Sequence, residues 1–345
     1  MLIDFILIIN MSNNILNNSR LSIGLYQGPD NDEVDQYLYD VIDNAMKMGI
    51  NNFDVAPNYR NTRSELVLGK ILSKSNSENI FVSTKGGFIP FDFSDTTINE
   101  SDYIHTNYIN TSLATKDTFD FYHFQSFDPR YLEYEFNKSL QRLNVDKIDL
   151  YYIHNPEYLL ARVDKETYLK QMNSVYIWLK QKIDNKQILH FGISTWDGFF
   201  YEDANKRLQM IDFIELAVNH NIMDHFKAIQ FPFNILKTDA FSKATQFIDN
   251  NHVSLIRAAI KYNISCITSA PYGQGQIKNI NFPDLISDNF YGTNNFQKAL
   301  SFCLSAPYIQ SVIIGTLNLS HLNQAVEVLN YNGHSVDAFY KIFKS

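Results

Sequence analysis

This chain of 345 residues has little cysteine: Cys266 and Cys303 are its only thiols. They form no CxxC pair and show no metal-ligand spacing, which excludes a disulfide framework and a structural zinc site and fits a reducing, cytoplasmic setting. Basic residues are in deficit as well, with 29 Lys and Arg against 37 Asp and Glu and a net charge of −8. Without a basic stripe, nothing answers a phosphate backbone, so nucleic acid is excluded as a partner. Glycine (13) and proline (9) are sparse, and no repeat or low-complexity linker divides the chain. Long apolar runs are missing too. The opening MLIDFILIIN is ten residues long, carries Asp4 and lacks both a basic start and a small-residue cleavage site, so it is neither a membrane span nor a signal peptide. Met11, followed by the polar SNNILNNSR, offers an alternative start, and residues 1–20 are set apart as an N-terminal extension.

Hydrophobic side chains make up 45% of the sequence, enough to bury a large core. From residue 21 onward, short apolar runs alternate with stretches of helical period. Strands are expected at 21–26, 50–55, 79–84, 147–153, 188–193, 228–231, 264–269 and 311–316. Helices are expected at about 34–45, 64–73, 130–143, 166–185, 206–220, 250–262, 295–304 and 319–330. Gly49 sits where a helix C-cap belongs, and Asp128-Pro129 reads as an N-cap and first helical residue. Strands that are apolar without alternation require burial on both faces, as in a parallel sheet covered by helices. Eight strand-then-helix units predict an α/β fold, a closed (β/α)8 barrel forming a single domain over 21–345. Its largest irregular segment is the long loop 86–128 after the third strand.

In such a barrel the site lies at the C-terminal ends of the strands, so polar residues there are read first. Asp54 ends the second strand, Tyr59 follows in FDVAPNY, Lys85 ends the third strand and His154 the fourth. Singly, each has an ordinary structural reading: a cap, a packing residue, a solvated cation, a satisfied core histidine. Together they make an acid and an oxyanion holder. Asp54 holds Lys85 charged, the Lys85 ammonium lowers the pKa of the Tyr59 phenol, and a neutral His154 hydrogen-bonds the carbonyl oxygen that Tyr59 protonates. No nucleophile and no metal cluster are visible, so the missing reactant is a bound hydride donor.

From about residue 20 to 330 the sequence resembles the aldo-keto reductase family. The family's Asp–Tyr–Lys–His tetrad falls on Asp54, Tyr59, Lys85 and His154, and FDVAPNYRNTRSELVLGKIL and SLQRLNVDKIDLYYIH are similar to its most recognisable stretches. The resemblance implies an NAD(P)-dependent oxidoreductase that interconverts an aldehyde or ketone and an alcohol, with Tyr59 as general acid. NADPH is the implied cofactor and NADH stays open, because Gly315, Thr316 and His321 stand where many members place Lys and Arg around the 2′-phosphate, and Gln324-Ala325 where Glu-Asn or Asn is common. The carboxamide-holding residues map onto Ser194, Thr195 and Gln230, with Thr195 in place of the usual Asn. TSAPYGQGQ resembles the pyrophosphate loop and brings in Ser269, Tyr272, Gly273 and Gly275, while Gly24 and Tyr26 match a cofactor-side turn after strand one.

A small-molecule carbonyl compound is the implied partner, with no membrane partner and no oligomeric state specified. Phe88, Asn155 and Trp196 are the candidate substrate-pocket residues. The aromatics of loop 86–128 (Phe88, Phe91, Phe93, Tyr103, His105, Tyr108, Phe121, Tyr122, His123 and Phe124) form either a wall against substrate or pins that hold the loop to the barrel. Two alternatives of other classes stand beside the reductase. One is a cofactor-binding regulatory subunit of the same fold, as potassium-channel β subunits are; the other is a barrel lyase or epimerase without net redox change.

Overall fold

A computed structural model describes residues 19–74, 79–91 and 99–343. Residues 1–18 of the 1–20 extension, and Phe93, lie outside them. Eight strands follow one another: β1 Leu21–Gly24, β2 Asn52–Asp54, β3 Phe81–Gly86, β4 Ile148–His154, β5 Ile188–Ser194, β6 Phe226–Pro232, β7 Ser265–Ser269 and β8 Ile309–Ile314. Each pairs in parallel with its sequence neighbour, and β8 closes on β1 through Leu21↔Val312. The expected (β/α)8 barrel is the fold observed.

The covering helices are α1 Asp32–Lys47, α2 Arg63–Leu72, α3 Pro129–Leu143, α4 Lys165–Asp184, α5 Met210–Asn219, α6 Leu255–Lys261, α7 Asn295–Ser305 and α8 Leu319–Leu329. Local chemistry sets their ends. The Asn31 side chain accepts from Val34 N to open α1, and Gly49, at φ 83°, takes the left-handed turn that closes it. Asp128 caps α3 by accepting from Arg130 N, with Pro129 next. Along α1, Val34, Leu38, Val41, Ile42 and Ala45 repeat at helical spacing and are all buried against the barrel.

Strand alternation builds the interior in layers. At the bottom, Ser22 Oγ lies 2.6 Å from Ser311 Oγ, and Asn52 donates to Ser22 Oγ at 2.5 Å. Above them Leu150, Tyr152, Ala228, Ile267 and Ile313 pack as an apolar plug separate from the outer core. One further step of two along the same strands reaches His154 beyond Tyr152 and Gln230 beyond Ala228. Inward parity and strand ends thus deliver polar side chains to one mouth.

Three expectations are corrected. Helix 206–220 starts at Met210. Helix 250–262 starts at Leu255, because Gln246–Ile248 and Asn251–Val253 pair as an antiparallel hairpin. Loop 86–128 is not featureless: Glu100–Ile104 is helical and runs into a π-helical turn, His105–Ile109. No helix among the described residues is long and apolar enough to cross a membrane.

Candidate active site

The C-terminal mouth opens into a cleft of about 830 Å³ that runs from Tyr59 and Trp196 to the start of α8. At its base the Lys85 ammonium donates to Asp54 Oδ1 at 2.5 Å and to Val55 O at 2.9 Å. The other oxygen of Asp54 accepts from Ser83 Oγ at 3.0 Å and Gln230 Nε2 at 2.8 Å, and Ser194 Oγ donates to Gln230 Oε1 at 2.8 Å. Every polar group in this relay is satisfied, which a buried ion pair requires.

The Tyr59 ring sits over the pair, with the Lys85 Nζ 4.7 Å from its centroid. His154 and Tyr26 meet Tyr59 edge-on, both at 6.1 Å between centroids. The backbone presenting Tyr59 is unusual: Arg60, Asn61 and Thr62 take φ values of 49°, 48° and 73° in succession. Three non-glycine residues in the left-handed region are costly. The buried Arg60 guanidinium holds the turn by donating to Pro29 O at 2.9 Å and Asp35 Oδ1 at 2.7 Å.

Electrostatics correct one expectation and agree with another. The pKa of Tyr59 is not lowered: burial pushes the phenol well above its ordinary value, and the Asp54 carboxylate adds to the rise. The rise stands although the Lys85 ammonium lies 4.7 Å from the ring centroid. Burial, followed by the Lys85 charge, drives His154 well below the ordinary histidine value, so its imidazole is neutral at neutral pH.

Of the residues singled out in the sequence, Asp54, Tyr59, His154, Tyr26, Ser194, Thr195, Gln230, Ser269, Tyr272, Gly275, Gly315, Thr316, His321, Gln324, Asn155 and Trp196 all line the cleft. Four do not. Lys85 lies beneath Asp54. Phe88 backs the His154 ring at 4.7 Å instead of facing the cleft. Gly24 lies against Ile313, where a Cβ would come within 2.7 Å of Cγ2. Gly273 closes a turn through its N–H to Ala270 O. The described aromatics of the long loop mostly pin: Phe91 packs on Tyr103 at 5.6 Å and Phe124 at 5.1 Å, His105 stacks on Phe121, and none of those among the described residues lines the cleft.

Sequence reading placed Gln324 and Ala325 at the far end but missed Val328 of α8 and Phe296, Gln297 and Leu300 of α7, which line it too. For Val328, its helical spacing from His321 and Gln324 on one face of α8 is the signal; the α7 residues lie on another helix, and no spacing along the chain finds them. Sequence reading also missed Glu157, buried beside Asn155.

Residues 20–279 match the sequence model of the Aldo/keto reductase family. One relative, an NADH-specific methylglyoxal reductase of Escherichia coli (strain K12), is 30% identical over 141 residues, which span 39% of this chain and 38% of that protein. An aldo-keto reductase from Bacillus halodurans, in its holo form, superposes with a TM-score of 0.64 over 95% of this chain and 92% of its own at 16% identity. That last likeness is one of fold alone. With the family match extending over well more than half of its length, the chain belongs to the aldo-keto reductase family, oxidoreductases that interconvert carbonyl compounds and alcohols with a nicotinamide cofactor.

Proposed function

We propose that this protein reduces an aldehyde or ketone to an alcohol, and runs the reverse oxidation, with Tyr59 as general acid. The observation that carries this reading is the convergence of the Asp54–Lys85 pair, the Tyr59 phenol and the neutral His154 at one end of a long cleft. When bound, a nicotinamide ring supplies the hydride or takes it back. The protein's own part is the proton. Burial keeps Tyr59 as the phenol before reaction, ready to donate its O–H to the carbonyl oxygen. The Lys85 ammonium beside the ring stabilises the phenolate left behind, and Asp54 keeps that ammonium charged. His154, uncharged, offers a hydrogen bond to the same carbonyl oxygen without competing for the proton.

The cleft suits a dinucleotide. Ser194, Thr195 and Gln230 are polar groups fixed at the reaction end, fit to hold a carboxamide, and Phe296, Leu300, Leu317 and Val328 form an apolar slot at the far end, fit for a purine. Tyr272, Gln274 and Gly275 would flank the phosphates between them. No Lys or Arg occurs among the described lining residues. A 2′-phosphate carries close to two negative charges and is met by Arg or Lys where it is selected. This supports NADH in place of the NADPH implied by the sequence resemblance, and an uncharged carbonyl compound as substrate.

The test is Tyr59→Phe assayed for NADH-dependent reduction across a panel of aldehydes and ketones. Turnover should drop by about 10²–10⁴-fold, while the dissociation constant for NADH, read by fluorescence, stays within about twofold. Undiminished turnover in the variant would refute the role of Tyr59.

A further inference from the structure

The long loop stays out of the cleft, yet one of its residues reaches the reaction end from behind. Gln125 sits in a short antiparallel pairing of Phe119–Asp120 with Gln125–Ser126 and keeps only 2% of its surface exposed. Its Nε2 donates to His154 O at 2.5 Å and to Asn155 O at 3.3 Å. These are the carbonyls at which β4 leaves the barrel, where Asn155 turns into the left-handed region at φ 53°. A buried carbonyl needs a donor, and a side-chain amide carries two N–H groups, one for each.

The same stretch of loop meets the His154 side chain. Phe88 bridges to Gln125, and its ring stands edge-on to the imidazole at 4.7 Å between centroids. Phe88 is in turn anchored to α3, where Tyr131 Oη donates to its carbonyl oxygen at 2.7 Å. Gly87, at φ 138°, runs so close to the strand end that a Cβ there would lie 3.1 Å from His154 O. Ser126 N donates to Gly87 O at 2.9 Å and Ile89 N to Phe124 O at 2.8 Å, which locks the two sides of the loop to each other. His154 is thus gripped at its backbone by Gln125 and at its ring by Phe88, and neither of these lines the cleft that His154 faces.

Resting on the reductase reading above, we propose that Gln125 is a positioning residue for the reaction: it fixes the end of β4 so that the His154 imidazole is aimed at the carbonyl oxygen, with Phe88 as the backstop of the ring. The long loop is then a clamp on His154 and not a wall against substrate. A hydrogen bond to an oxygen that gains charge in the transition state depends steeply on distance and angle. Misplacement by about 1 Å costs up to about 10²-fold in rate. Without the Gln125 amide the two carbonyls lose this donor, and the strand end shifts to find another.

The experiment is a double-mutant cycle read by single-turnover oxidation of NADH, using the full chain and the aldehyde turned over fastest in the panel above. Gln125→Met, close in length and without a donor, should slow hydride transfer about tenfold while the dissociation constant for NADH stays within about twofold. In a His154→Gln background the same change should alter the rate by less than about twofold, because a residue that acts through His154 has nothing left to position. Phe88→Leu should show the same pattern, and carries the test if Gln125→Met does not fold. Phe121→Leu loosens the same loop where it stacks on His105 and packs on Phe119, and should leave the rate within about twofold of the wild type. A Gln125→Met rate equal to the wild type overturns the inference. So does a loss that persists in full in the His154→Gln background, or an equal loss in Phe121→Leu. Those results leave the reductase reading standing, whereas undiminished turnover by His154→Gln, or no turnover of any carbonyl compound, sinks that reading and this inference with it.

Discussion

Tyr59 and His154 show how one buried cation serves two residues differently. At Tyr59 burial decides the outcome, with Asp54 adding to it, although Lys85 lies beside the ring, whereas at His154 burial and the Lys85 charge act together. The consequence for stability has a definite sign. A histidine whose folded pKa is depressed stays neutral in the native state while the unfolded chain takes up its proton below about 6.5. Stability from His154 is therefore present above that value and is lost as pH falls toward the folded pKa. His190, pushed down to about 4 by burial, contributes with the same sign, and Glu157, raised to about 7, contributes with the opposite sign over roughly 4.5 to 7. The Tm of His154→Gln should accordingly fall less than that of the wild type between pH 7 and 5. Parallel melting curves would refute the account. Asp54, Lys85 and His154 were legible in the sequence because a charged or polar residue ending an apolar strand stands out; Glu157 was not, since one acidic residue after Pro156 looks like any helix start.

Helices α2 and α3 carry the segment that holds Tyr59 and the cap that ends the long loop. They meet where Gly69 of α2 faces α3, and a Cβ there would lie 2.0 Å from Arg142 O. The contact is with backbone and cannot be relieved by a rotamer. Beside it Glu65, fully buried, accepts from Thr84 Oγ1 at 2.7 Å and from Arg142 Nε at 2.6 Å, tying both helices to β3. Gly69→Ala should force the helices apart and destabilise the fold by about 1–3 kcal/mol, the usual range for overpacking. Chemical denaturation with an unchanged m-value is the measurement, and a midpoint equal to the wild type would show that the helices separate freely. Caps and helical period were readable because they are local. The hairpin at Gln246–Val253 was not, because its short strands carry no more signal than the start of α6 and their pairing is a contact between segments.

For the whole molecule, barrel closure makes the cleft a property of all eight strands, with its two ends built from different parts of the chain. A ligand spanning β4–β6 at one end and α7–α8 at the other binds only the closed form, so it stabilises the fold by mass action, by about 2.7 kcal/mol at one hundred times its dissociation constant. At equal concentrations NADH should raise Tm at least as much as NADPH, since the described lining residues include no Lys or Arg to reward a 2′-phosphate. A clearly larger shift with NADPH in a thermal-shift assay would reject this cofactor choice.

The sequence by itself determined the barrel and the polar residues Asp54, Lys85 and His154 at its strand ends, because apolar period, cap chemistry and strand termini are encoded in neighbouring residues. Only the tertiary structure decided that the loop aromatics pack on one another, that Phe88 supports His154 from behind, and that Gln125 meets the carbonyl oxygens at the end of β4. Each depends on which side chains meet across loops from different strands, and on the burial that those meetings create. The shift at Tyr59 has the same origin: its sign follows from the burial of the phenol, with the Asp54 carboxylate adding to it, and no spacing along the chain specifies burial.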